Sequence, residues 1–186
     1  YKADSSKVVI DNSPVKLSGD RMDVRVRETN LGNAVADALL DYGQSDFTHK
    51  SNLAVTNGGG LRETIAKDKP ITKGDIIAVL PFGNSVAQIQ VTGQNIYDMF
   101  VKSLGSILQV NESGKNVFDE NGQPLLEPSG GFLQVAGARV YYDTTLPTEK
   151  RILSIDILDP ETGVYKPLNT TETYYLVTND FLACWW

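Results

Sequence analysis

The spacing of apolar positions changes period several times along the chain, and each change marks an element. Positions 7 to 10 and 24 to 27 read as strands, the second alternating Val24 and Val26 with Arg25 and Arg27. Leu31, Val35, Ala38, Leu39 and Tyr42 then recur at helical spacing, with Thr29 or Asn30 as the cap and Gly43 as the stop. A short apolar strand at 53 to 55 runs into Asn57-Gly58-Gly59-Gly60-Leu61-Arg62. Thr72 with Asp75 opens a short helical turn before Leu80-Pro81-Phe82, and Ala87, Ile89 and Val91 alternate as a strand does. Thr92 caps a second amphipathic helix through Ile96, Met99, Phe100 and Leu104, ended by Gly105.

Positions 111 to 131 are polar and rich in Gly and Pro, with Asn121-Gly122 as a turn signal, and read as a long loop. Strands follow at 138 to 142, 152 to 158 and 174 to 177, the middle one expected to bury Leu153, Ile155 and Ile157. Two helices among about six strands without βαβ alternation predict an α+β fold, a single domain with a mixed β-sheet and a few amphipathic helices. Residues 1–6 read as the end of a linker and 7–186 as the domain.

Composition narrows the chemistry. A net charge of -6 argues against a nucleic acid polymer as partner, because polyanion binding needs a basic face. No apolar run approaches the 18 residues of a membrane span. One cysteine, Cys184, excludes an intrachain disulfide. One histidine, His49, lies in the polar string 44 to 50 and reads as an exposed loop residue. That leaves the chain short of the His and carboxylate groups that hydrolytic metal centres or Ser-His-Asp relays require.

What remains are binding groups. The three glycines can bring backbone amides to one point through φ > 0, with Asn57 and Arg62 supplying donors at either end of the run. The same hexapeptide equally fits a tight turn between two elements. Arg21, Arg25 and Arg27 cluster before the first helix, and guanidinium forks suit phosphate. A solvated strand face balanced by Asp20, Asp23 and Glu28 is the better account of Arg27; for Arg25 both accounts stand. Phe82, between Pro81 and Gly83, and Phe181, after Asn179-Asp180, could hold a nucleobase by both faces, although singly each is more often a core residue.

Taken together, the segments 25–33, 57–62, 78–84, 131–137 and 179–183 resemble the C-terminal domain of the 5'-nucleotidase family, which includes bacterial UDP-sugar hydrolases and 2',3'-cyclic nucleotide phosphodiesterases. They stand in the family's order and cover nearly the whole chain. The resemblance implies that Phe82 and Phe181 sandwich the base of a nucleotide or nucleoside and that Asn57 bonds it beside Gly59. It implies that Arg25 and Arg62 meet the ribose or phosphate end, with Arg21 matching an arginine of some bacterial members. It also implies an N-terminal metallophosphatase domain with two divalent metal ions and the catalytic His-Asp pair, a hinge rotation that brings the nucleotide to it, and an extracytoplasmic location. No catalytic residue and no cofactor is assigned to this chain.

One departure stands at the end. Members follow the Asn-x-Phe-Leu-Ala segment with a Gly-Gly-Asp-Gly loop whose Asp binds the ribose, whereas this sequence runs Cys184-Trp185-Trp186, as a truncated C-terminus would. A second reading is a non-catalytic surface module that keeps the fold without nucleotide binding.

Overall fold

The computed structural model describes residues 2 to 184. Tyr1, Trp185 and Trp186, and with them the last part of the departure at the C-terminus, lie outside the described residues.

The centre is a four-stranded mixed sheet built from β2 (Leu53–Asn57), β4 (Val86–Thr92), β5 (Leu133–Ala136) and β9 (Thr173–Asn179), in the order β4-β9-β2-β5. β2 and β9 are parallel, while β4 and β5 pair antiparallel on the outside. Because side chains alternate along a strand, β2 buries Leu53 and Val55 on one face and Ala54 and Thr56 on the other. Helix α3 (Asn30–Ser45) covers the second face, where Ala36, Ala54, Ala136 and Val177 form a core of small side chains. Helix α5 (Gly93–Ser103) covers the first face. There Ile96, Met99 and Phe100 meet Leu53, Val55 and Leu176.

The same core takes Ile155 and Ile157 from a second, antiparallel sheet of β6 (Ala138–Tyr142), β7 (Ile152–Leu158) and β8 (Tyr165–Pro167). Gly137, at φ +69, turns the chain from β5 of one sheet into β6 of the other. A two-stranded ribbon of β1 (Val8–Ile10) and β3 (Ile71–Thr72) leads into α4 (Lys73–Val79). Short helical turns α1 (Lys2–Ser5), α2 (Arg21–Val24) and α6 (Asp180–Ala183) complete the architecture. The α+β class and the mixed sheet expected from the pattern are what the chain adopts.

Local signals account for most helix boundaries. Thr29 caps α3 by accepting from Gly32 N, and Thr72 and Thr92 each form a reciprocal capping box, with Asp75 and Asn95.

Several expectations need correction. Residues 24 to 27 are not a strand: Asp20 accepts from Met22 N and starts α2, after which Val26 N and Arg27 N both bond to Asp23 O. The alternating burial of Val24 and Val26 is real, but it comes from a helical turn leading into an irregular segment. Gly43 does not end α3, which continues to Ser45; a Cβ at Gly43 would stand 2.7 Å from Val177 Cγ1, so its bareness serves sheet contact.

Leu153 is 63 % exposed rather than buried. The β6–β7 register slips between Tyr141 and Tyr142, and the irregularity breaks the alternation that holds at Ile155 and Ile157. Within the expected linker end at 1–6, residues Lys2–Ser5 form a helical turn whose Asp4 pairs with Lys73. β3, β5 and β8 carried too short or too apolar a pattern to be read as strands. The long loop at 111 to 131 is pinned by isolated bridges, Val110 to Asn116 across the Gly114 turn at φ +71 and Phe118 to Pro124 across the Gly122 turn at φ +76.

Candidate functional site

The C-terminal ends of the parallel strands β2 and β9 bring two of the sequence segments side by side. At the end of β9, Asn179 accepts from Leu182 N and so caps α6. The cap leaves Phe181 on the first turn, 52 % exposed. The same Asn179 donates through Nδ2 to Asn57 Oδ1 at 3.3 Å, at the end of β2. Asn57 in turn donates to Gly130 O at 3.2 Å, leaving one amide hydrogen uncommitted.

Phe82, 58 % exposed, follows the end of α4 and precedes Gly83, whose φ is +65. Phe82 and Phe181 therefore come from different elements, neither packs into a core, and both line one cavity of about 1120 Å³. Asn57, Gly59, Gly60 and Asn84 also line it.

The glycine run does not act as its sequence suggests. Residues 58 to 60 form a 3-10 turn, and none of the three has positive φ. The Gly58 and Gly59 amides donate to Phe132 O and Gly130 O at 2.7 and 3.0 Å, so these N–H groups are held by the protein rather than aimed at a ligand. Gly58 is required by packing, since a Cβ there would lie 2.0 Å from Val24 O. Gly59 and Gly60 remain at the cavity wall.

The arginines separate into two kinds. Arg27 is an ion-pair residue, bonded to Asp23 at 2.6 Å and to Glu120 at 2.8 Å. Arg21, Arg25 and Arg62 form no ion pair among the described residues, and they stand close enough to act on one another. Burial first, then the like charges of Arg21 and Arg62, push the Arg25 guanidinium below its ordinary value. Such a group gains from an anion. Arg62 reaches across its own turn, with Nη1 3.4 Å from Gly59 O and Cζ 5.6 Å from the Phe82 ring centroid, a cation–π arrangement. Arg25 and Arg62 do not line the cavity itself, so positive charge stands at its border and aromatic rings inside.

A residue that the sequence reading did not single out holds this arrangement. Gln134 on β5 is 1 % exposed and bonds the arginine segment three times. It accepts from Thr29 N at 3.1 Å and donates to Val24 O and Arg27 O at 3.0 and 2.7 Å. An apolar strand with one buried glutamine was the available signal. Ser129 N adds a bond to Arg25 O at 3.1 Å.

His49 is an exposed loop residue, stacked on Tyr175 at 4.3 Å between centroids and away from the cavity lining. Among the described residues no group of three or more His, Cys, Asp or Glu side chains could hold a metal ion, so the residues present do not fit a metal pair. No helix among them is long and apolar enough to cross a membrane.

Comparison with known proteins agrees with the segment resemblance. The sequence profile described as "5'-nucleotidase, C-terminal domain" matches residues 8–184. The chain is 34 % identical over 169 residues to the trifunctional nucleotide phosphoesterase protein YfkN of Bacillus subtilis (strain 168), covering 91 % of this chain and 10 % of that protein. It is 32 % identical over 186 residues to the snake venom 5'-nucleotidase of Gloydius brevicauda, covering 94 % of this chain and 28 % of that one. Among solved structures, the 5'-nucleotidase precursor from Thermus thermophilus superposes with a TM-score of 0.73 at 33 % identity, over 98 % of this chain and 31 % of the other. The chain thus spans less than a third of the length of each of these relatives. With its profile matched over almost every residue and its fold shared, the chain belongs to the 5'-nucleotidase C-terminal domain family.

Proposed function

We propose that this chain is the nucleotide-recognition domain of a two-domain, dimetal 5'-nucleotidase-type phosphoester hydrolase. The observation that carries the reading is the meeting of Phe82 and Phe181, two half-exposed rings from separate elements, on one cavity bordered by unpaired arginines. A purine or pyrimidine between the rings gains about 1–3 kcal/mol per stacking contact. Asn57 offers the base its remaining amide hydrogen. Arg25 and Arg62, with Arg21 beside them, take the ribose or phosphate end, where a bound anion relieves their mutual repulsion.

The catalytic metals belong, in this reading, to an N-terminal metallophosphatase domain in the longer protein, since the residues here do not fit them. Two metals there would activate a water and stabilise the charge that develops on the phosphate. This domain's contribution is positioning: stacking and guanidinium contacts fix where the phosphate stands. The longer polypeptide is read as extracytoplasmic, in keeping with a relative whose name places it in venom.

Titration of the purified chain with adenosine and AMP, followed through the Phe ring signals by NMR, tests the assignment. Shifts at Phe82 and Phe181, tighter binding of AMP than of adenosine, and no phosphate release with divalent metal are the expected results. Shifts confined to residues away from the cavity would remove the clamp. Metal-dependent phosphate release by this chain alone would overturn the division of labour.

A further inference from the structure

We infer that the cleft between β5 and β6 docks an extended peptide segment of a partner protein, one that carries an arginine. The partner's backbone adds to the open edge of β6, and its arginine side chain enters the cleft toward Glu28. None of the residues involved is assigned to the nucleotide above.

The phase of the two ladders opens the edge. β5 and β6 are outer strands of separate sheets, and they follow one another through Gly137. In an antiparallel ladder, hydrogen-bonded and non-bonded pairs alternate, and the backbone groups of a non-bonded pair point away from the neighbouring strand. Leu158 N donates to Gly137 O, so Arg139 and Asp156 form the next bonded pair, and Ala138 and Val140 aim their N–H and C=O groups away from β7. β5 is phased likewise. Gly58 N donates to Phe132 O, which turns the backbone groups of Leu133 and Val135 away from β2, and Leu133 N donates to Ser103 Oγ at 2.9 Å. No strand pairing joins β5 to β6 among the described residues. Both edges line one cleft of about 280 Å³. That is below the ~300–1,000 Å³ of pockets that enclose a small-molecule ligand, yet it has room for one long side chain whose backbone stays outside.

The lining selects that side chain. Phe100, Leu104 and Phe132, all buried, give the cleft an apolar floor, while Glu28, Tyr141 and Tyr142 are exposed at its rim. Glu28 Oε1 accepts from Asn33 Nδ2 at 2.8 Å, and its carboxylate forms no ion pair among the described residues. The cation that also lines the cleft, Arg139, is engaged with the Tyr165 ring of β8, its Cζ 3.9 Å from the centroid. Burial first, then the negative charges of Glu28 and Asp119, push the Tyr142 hydroxyl above its ordinary value, which marks the field at this rim as negative. An apolar floor suits the aliphatic stem of an arginine, a tyrosine ring its planar cation, and a carboxylate its guanidinium fork. Main-chain bonds along a free strand edge, with a pocket for one side chain, are the parts of recognition by strand addition. The net charge of -6 favours the approach of a basic partner.

The test titrates the purified chain with a fluorescein-labelled heptapeptide of alternating threonine and valine that has one central arginine. Anisotropy gives the affinity, and backbone NMR with the unlabelled peptide gives the place, expected at the Ala138, Val140 and Glu28 amides. Citrulline in place of the arginine keeps the shape without the charge and is expected to weaken binding about tenfold, as loss of a charge-assisted hydrogen bond does. Peptides N-methylated at alternate residues, made in both phases, are expected to lose binding in one phase only, the one that faces β6. Glu28→Gln, its fold checked by NMR, is expected to erase the difference between the arginine and citrulline peptides. Absence of binding, equal binding of those two peptides to the unaltered chain, or a difference that survives Glu28→Gln overturns the site. So do N-methylated peptides that bind like the parent in both phases, and shifts confined to other surfaces. Light scattering that shows a dimer closed through the β6 amides would give the edge to a second copy of this chain and overturn the proposal as well.

Discussion

Single side chains at the site divide into those that meet solvent and those that meet backbone, and substitution should tell them apart. Phe82 is exposed and touches no core cluster, so Phe82→Ala is expected to weaken nucleoside binding by about 1–3 kcal/mol with little change in thermal midpoint. Calorimetric titration beside a melting curve checks both halves of that statement. Loss of folding with unchanged binding per folded molecule would make Phe82 structural. Gly58 behaves in the opposite way. Its missing Cβ admits Val24 O, so Gly58→Ala forces backbone apart and is expected to destabilise by about 1–3 kcal/mol, measured in urea. Gly60→Ala, whose Cβ would meet only the Asn57 side chain at 3.2 Å, should perturb the fold clearly less. Two residues apart in one glycine run, the pair separates a packing requirement from a space requirement at the cavity wall.

Among the elements, α4 carries a pH dependence in its cap. The Thr72 hydroxyl first, then the Thr72 backbone N–H, hold the Asp75 carboxyl below its ordinary value of 3.8. A carboxyl depressed in the folded state stabilises above the unfolded value, and that stabilisation is lost as pH falls through the folded one. Thr72→Ala is therefore expected to cost about 1 kcal/mol near pH 7, the usual value of an N-cap, and less as the pH drops below 4. Urea midpoints of the two proteins at pH 7 and pH 3 measure the narrowing; an unchanged gap would mean that the capping box does not hold in solution. α4 ends at the turn that presents Phe82, so the same variant reports on how firmly that ring is held. The caps of α3, α4 and α5 were legible because each is written within three or four residues. The segment 24 to 27 was misread because two valines two apart satisfy a strand's alternation as well as a helical turn's exit.

Over the whole molecule, the arginine segment and the cavity that Phe82 and Phe181 line are joined through the sheet. Gln134 bridges more than a hundred residues of sequence to Val24, Arg27 and Thr29, and the Asn179–Asn57 contact spans a comparable distance. Gln134→Met leaves two buried backbone groups, Thr29 N and Val24 O, and the part-buried Arg27 O without that partner, and each buried one is expected to cost about 1–3 kcal/mol where nothing replaces it. In the folded fraction, AMP affinity should fall toward that of adenosine while adenosine affinity holds, since the loosened segment carries Arg25 and not the rings. Parallel calorimetry with both ligands makes the comparison; an equal loss for both would place Gln134 under the whole site. The sequence by itself determined the inventory: helix caps, most of the alternating strands, the α+β class, and the presence of two phenylalanines and a set of arginines as candidate groups for the proposed nucleotide. These follow from bonding and periodicity confined to short stretches of chain. Only the tertiary structure decided that Arg27 is spent on Asp23 and Glu120 while Arg21, Arg25 and Arg62 are not, that the glycine amides serve packing, that Gln134 ties the arginine segment to β5, and that α5 walls the cavity. Those outcomes depend on which distant backbone groups arrive within bonding distance, and no local pattern of residues encodes that.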